Sequence, residues 1–265
     1  RFARVMLGWS GGGYTYSATP CEANQEGCVG PADRDLDQYE FLKAEGEAPI
    51  VESFFVQGEI YPAKDLFDLL SIGVGAGYSH LGYRTDFPLS NPPADPSYCE
   101  ENFCDGMSFV NVDFLARFSL LRARGPLDLR VRLGYSFQDV VVFRNIYHSD
   151  TGTTSQEFET AGVHGVRVGI GAEYTIIPMV RPHVDYTMTI GAGLTDGQGN
   201  SGPMNAGVTS NQLNLGVSLF PIGPLMVDVS YDMVIRGLGL NTSATQRGNI
   251  DEAAHSLRLG VGVAF

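Results

Sequence analysis

Read backwards from its carboxyl end, the chain repeats one pattern: apolar residues at every second position, with small or polar residues between them. That period belongs to an extended strand with one apolar face. In the last stretch Leu257, Leu259, Val261, Val263 and Phe265 fall on one face, and Ser256, Arg258, Gly260, Gly262 and Ala264 on the other. Leu225 to Ile235, Leu213 to Leu219, Val180 to Ala192 and Val166 to Tyr174 alternate in the same way. So do Leu127 to Phe137, Val110 to Leu120 and Leu70 to Tyr78. Two weaker stretches, near Ile50 to Tyr61 and Phe2 to Tyr16, bring the expected number of strands to ten.

The connections alternate as well. Arg122 to Pro126, Ile177 to Val180 and Phe220 to Pro224 read as tight turns, and Pro62 to Phe67 as a somewhat longer one. Between these lie long polar segments: Thr19 to Glu47, Asp86 to Gly106, Ser149 to Thr160, Asp196 to Gly207 and Gly237 to Ala253. Short turns on one rim and long loops on the other are the layout of an antiparallel barrel that crosses an outer membrane. A spanning helix is excluded, because no stretch approaches the roughly 18 unbroken apolar residues it needs.

An alternating strand does not say which face is inside, and a soluble barrel of the lipocalin kind would alternate too. Here the non-apolar face is rich in Gly, Ser, Thr and Ala with scattered Arg and Asp, which suits a crowded lumen better than a watered exterior. The apolar face is continuous, as lipid demands of every residue it touches. Lysine, the usual surface cation, occurs only at Lys43 and Lys64. With the aliphatic face outward, Arg117, Arg130, Arg132, Glu173, Arg181, Asp185 and Asp228 gather toward the short-turn rim. Asp113, Arg167, Asp232, Arg236 and Arg258 gather nearer the loops. A ten-stranded barrel is narrow enough for side chains to fill it, and opposite charges confined there are expected to pair. An ion-conducting path is the other reading.

The closing run from His255 to Phe265, with Leu257, Leu259, Val261 and Val263 leading to a terminal aromatic, resembles the insertion signal of bacterial outer-membrane β-barrel proteins. That resemblance covers nearly the whole chain through the repeated dyads and implies an all-β, up-and-down transmembrane barrel, residues 1–265 forming one barrel domain. It implies the outer membrane of a Gram-negative bacterium as location and outer-membrane lipid as surroundings. It identifies an architecture, with the subfamily left open. The chain opens at Arg1 without an export leader, so a processed or trimmed chain is expected.

The long segments have a chemistry of their own. Cys21 and Cys28, and Cys99 and Cys104, form two close pairs lacking the further Cys or His that a metal site would want. Two local disulfides are the expectation, with cross-pairing or free thiols as alternatives. Residues 19–47 carry a charge balance of −6 and residues 86–106 one of −5, out of −13 for the chain. Such acidity disfavours nucleic acid, whose phosphates need clustered Arg and Lys. Asp33, Asp35 and Asp37 are spaced like the opening of a calcium loop, but Gln38 and Ala44 stand where Gly and Glu are required. No cofactor is expected, and a looser surface calcium site stays open.

Enzymes also exist on this architecture. The ten-stranded omptin proteases place acidic and Asp–His pairs near the loop rim, whereas His183 and Asp185 follow a short turn. Ser79–His80 and His148–Ser149 are neighbours in sequence, and adjacent strand residues point to opposite faces. The leading expectation is therefore a non-enzymatic barrel with a filled lumen: an anchor, a surface-interaction protein or a membrane subunit of an envelope assembly, with other envelope proteins as partners. A small-solute or ion channel is the first alternative and an enzyme acting on lipid or peptide the second. Tyr78, Tyr135, Phe137 and Tyr174 are expected as interfacial anchors.

Overall fold

The computed structural model describes residues 2–20, 40–41, 44–66, 69–82, 106–120, 126–148, 153–196, 205–243 and 246–265. Among them the strands are β1 (Ala3–Pro20), β2 (Glu40–Phe41), β3 (Ala44–Leu66), β4 (Leu70–Gly82), β5 (Gly106–Leu120) and β6 (Leu127–His148). They continue as β7 (Thr153–Tyr174), β8 (Val180–Asp196), β9 (Asn205–Leu219), β10 (Leu225–Ser243) and β11 (Gln246–Ala264). Leaving aside the two-residue β2, each long strand pairs antiparallel with its neighbours in sequence, and β1 pairs with β11. The result is a closed, ten-stranded, up-and-down barrel, as the alternation requires.

The seam is tied at the short-turn rim. Phe2 N donates to the carbonyl of Phe265 at 2.5 Å, and Phe265 N donates to Ala3 O at 2.9 Å. From there β1 and β11 pair without interruption, from Arg4 opposite Ala264 to Pro20 opposite Gly248. Closure removes both sheet edges, the only way a sheet can satisfy its backbone in hydrocarbon.

The aliphatic face points outward. Trp9, Val112, Phe114, Leu133, Ile170, Ile190, Leu257 and Leu259 are among the most exposed side chains, Phe114 at 71%. Inward positions carry glycine where the opposite residue is large: a Cβ on Gly73 would come within 2.9 Å of the Tyr61 ring. In the turn between β9 and β10, Gly223 takes a positive φ of 52°, which suits a residue without a Cβ.

The strands run further than the alternation indicates. β6 has 22 residues, about 70 Å of strand at the usual rise and roughly 55 Å of height at a typical tilt, against an apolar band about 25 Å tall. Segments expected as loops are paired strand instead. β10 reaches Ser243 and β11 begins at Gln246, within the stretch Gly237 to Ala253. β7 begins at Thr153, β9 at Asn205 and β3 at Ala44. The turn expected at Pro62 to Phe67 is likewise mostly strand, since β3 continues to Leu66 through register shifts after Ile60 and Ala63. The reason is environmental: beyond the membrane the outer face meets water, so the outward apolar residues that mark a strand disappear while backbone pairing continues.

There the polarity of the wall inverts. On β9 the outward side passes from Leu215 and Leu213 to Asn211 and Thr209, while the inward side passes from Asn214 and Gln212 to Val208. Buried inward residues at this level are the apolar Tyr14, Ile50, Leu81, Val163, Val208, Val234, Leu238 and Ala254 and the polar Ser210, Arg236 and Glu252. The barrel is thus filled by polar groups where lipid surrounds it and mainly by apolar groups where water does.

Candidate functional site: the filled lumen

Among the described residues, Arg4, Arg117, Arg130, Arg132, Arg167, Arg181, Arg236 and Arg258 point into the barrel. Eight carboxylates face them: Glu59, Asp113, Asp128, Glu173, Asp185, Asp228, Asp232 and Glu252. Alternation puts each on the inner face, because its neighbours on the same strand are the outward aliphatics. The described column is therefore charge-balanced, which keeps most buried charge partnered.

Near the short-turn rim, Glu59 Oε1 lies 3.2 Å from Arg4 Nη2, 3.4 Å from Arg132 Nη2 and 3.9 Å from Arg130 Nη1. Asp185 accepts hydrogen bonds of 2.9 Å from both Arg130 and Arg132. Glu173 accepts from Arg181 at 3.2 Å and from Arg4 at 3.3 Å. Arg117 stacks over Tyr61, 4.2 Å from the ring centre, and Ser119 donates to Asp128 at 2.6 Å. Glu59, Glu173 and Asp185 are each shared between arginines, so they form a network and not a set of independent pairs.

Closer to the loops, Arg167 Nη1 donates to Asp113 Oδ2 at 2.6 Å, and Arg258 Nη1 lies 3.7 Å from Asp232. Gln212 also donates to Asp232 at 3.0 Å, and the Arg258 guanidinium sits 3.8 Å over the Phe55 ring. Higher still, Arg236 and Glu252 form a pair with no exposed side-chain surface. Tyr14 donates to the same carboxylate at 2.8 Å, and Arg236 Nη1 donates to the carbonyl of Asp139 at 2.8 Å.

The column brings together all twelve charged residues named from the sequence for the lumen, and adds several that alternation left unnamed. Arg4, Glu59, Asp128, Glu252 and His183 belong to it. Arg4 and Glu59 sit on the two strands whose inward faces also hold Met6, Phe55 and Tyr61, and that blurs the dyad. His183 is held by Asn214 Oδ1, 3.1 Å from Nε2, with Asp228 3.7 Å from Nδ1 and Gly216 beneath it. A Cβ at Gly216 would stand 2.8 Å from the imidazole.

Polar space among the described lumen residues lies in adjoining cavities that share walls at Glu59, Arg132 and Arg167. Two polar cavities of about 70 Å³ and one of about 40 Å³ lie around the ionic layers. Each holds only a few waters, since one water needs roughly 10–15 Å³ on this measure. Next to the apolar layer, between Phe109, Gln138 and Val234, about 10 Å³ is left.

Outward histidines pair across strands. His80 Nδ1 lies 3.1 Å from Ser108 Oγ on β5, with Phe54 and Tyr78 beside it. Ser79, its neighbour in sequence, points the other way. His164 bonds the hydroxyl of Tyr135 and packs edge-on against Phe137. Leu257, Leu259, Val261, Val263 and Phe265 all lie exposed on the outer face. Cys21, Cys28, Cys99 and Cys104, together with Asp33, Asp35 and Asp37, fall outside the described residues.

No protein-family model and no curated protein sequence matches the chain. Among solved structures it is similar to the outer membrane protease OmpT from Escherichia coli, at 11% identity over 99% of this chain and 96% of that one, with a TM-score of 0.49. It is also similar to the transport unit of the autotransporter AIDA-I from Escherichia coli, at 9% identity over 100% and 91% of the chains and a TM-score of 0.45. The translocator domain of the autotransporter NalP from Neisseria meningitidis follows at 12% identity over 100% and 89%, with a TM-score of 0.36. Likenesses this distant bring no activity, ligand or partner to the chain. The closed pairing of ten long strands, the exposed aliphatic belt and the balanced inner column make it a membrane-spanning barrel of the bacterial outer-membrane type.

Proposed function

We propose that this barrel is closed to solutes and serves as a non-enzymatic anchor, holding acidic extracellular segments outside the outer membrane for contact with other envelope or surface components. The observation that carries this reading is the layered filling of the lumen. A balanced arginine–carboxylate network lies beneath an apolar layer that includes Tyr14, Val163, Val208 and Leu238. A permeating ion would have to strip arginines from shared carboxylates and then cross a dry constriction, and hydrophobic constrictions exclude ions by dewetting. The sequence supports the surface role, since residues 19–47 and 86–106 carry most of the net negative charge.

Planar-bilayer recording on the purified chain tests the closed state. The expected trace has no steady open-channel current at moderate voltage. A stable ohmic current carried by the wild-type chain would reject the closed reading and favour a channel.

A further inference from the structure

The short-turn rim is not uniform. In the turn from β7 to β8, Ile176, Ile177 and Met179 are exposed, and in the turn from β9 to β10 Ile222 is 76% exposed, the most exposed large apolar side chain among those described. The turns touch, because Phe220 N donates to the carbonyl of Met179 at 2.9 Å. Pro178, Pro221 and Pro224 complete them, and neither turn contains a charged residue. The sector continues to the seam, where Phe2 and Phe265 are also exposed.

We infer that the apolar sector of the short-turn rim is immersed in the inner leaflet. The occupant is lipid because the patch is continuous with the lipid-facing belt. The outward Val184, Leu219 and Leu225 lead directly into Met179, Ile177 and Ile222 with no polar residue marking a boundary. On β10 the outward apolar run from Leu225 to Ile235 spans about 25 Å at the usual rise and tilt, the full height of a typical apolar band, and the apolar turn extends it further. Isoleucines exposed in an aqueous periplasm would lose the burial energy that immersion supplies.

Trp9 is the sole tryptophan, which makes depth measurable. The chain carrying Trp9→Phe and Ile222→Trp is folded into vesicles of one lipid species, with bromines placed in the acyl chain near the headgroup. Heat-modifiable migration on a gel verifies that the barrel has formed, and Met179→Trp provides a second reporter if the first variant does not fold. Immersion predicts that the new tryptophan is quenched by brominated lipid at least as strongly as Trp9 in the parent chain, while iodide in the buffer has little effect. The reverse result, iodide quenching without bromine quenching, would overturn the inference and make the patch a candidate surface for a periplasmic protein. Trp at Asp251, exposed on the outer face beyond the belt, calibrates the iodide response.

Discussion

Arg236 and Glu252 face each other inside a layer built mainly from Tyr14, Val208, Val234 and Leu238, so their charges have little but one another to answer to. Removing one member of such a pair strands the other in an apolar surrounding, at a cost of about 3–5 kcal/mol. Removing both leaves a neutral, space-filling interior and is often close to neutral. Arg236→Met is therefore expected to lower the unfolding free energy by about 3–5 kcal/mol, read from urea titrations of the chain folded in vesicles. Combining it with Glu252→Gln, which keeps an acceptor for the Tyr14 hydroxyl, should recover most of that loss. Equal losses in the single and double variants would mean that packing around Arg236, and not its charge, holds the layer. The lower network should behave differently. Asp185 holds both Arg130 and Arg132, and Glu59 also approaches both, so neither arginine is stranded by the loss of one acid.

The strands were legible wherever lipid enforced the alternation, and obscure wherever it did not. Val166 to Tyr174 and Leu257 to Phe265 declare themselves because every second residue must satisfy hydrocarbon. The upper parts of β7, β10 and β11 read as loops in the sequence, since outward positions such as Gly237 and Asp251 need only tolerate water. Which lumen charges meet could not be read at all, because Arg4 reaches Glu173, 169 residues away, only through the stagger of strands around a closed barrel. The same boundary can be probed with one substitution on each side of it. Ile170→Arg lies in the middle of the belt and is expected to destabilise the barrel by about 2–4 kcal/mol, whereas Thr209→Arg, outward but above the belt, should change it by about 0–1 kcal/mol. Unfolding midpoints in vesicles decide it, and similar costs at the two sites would place the membrane boundary elsewhere.

Taken as one object, the barrel as proposed is closed twice, by two layers of different chemistry. On that reading the ionic column resists permeation because an arginine that moves must give up its bonds to shared carboxylates, while the apolar layer resists it because water withdraws from a narrow unwetted passage. Neither layer depends on the other for its fold: the lower one is held by Glu59 and Asp185, the upper by close packing of Val163, Val208 and Leu238. Thinning one layer should thus leave the molecule closed. Arg132→Ser with Arg167→Ser empties part of the column, and Val163→Ser, Val208→Ser and Leu238→Ser wet the upper layer. Each set by itself is expected to give no steady current in planar bilayers, and the five substitutions together a persistent one. A current from the charge variants alone would assign the whole seal to the ionic column, and one from the serine variants alone would assign it to the apolar layer. Either single-layer result would refute the double closure while leaving the wild-type chain sealed.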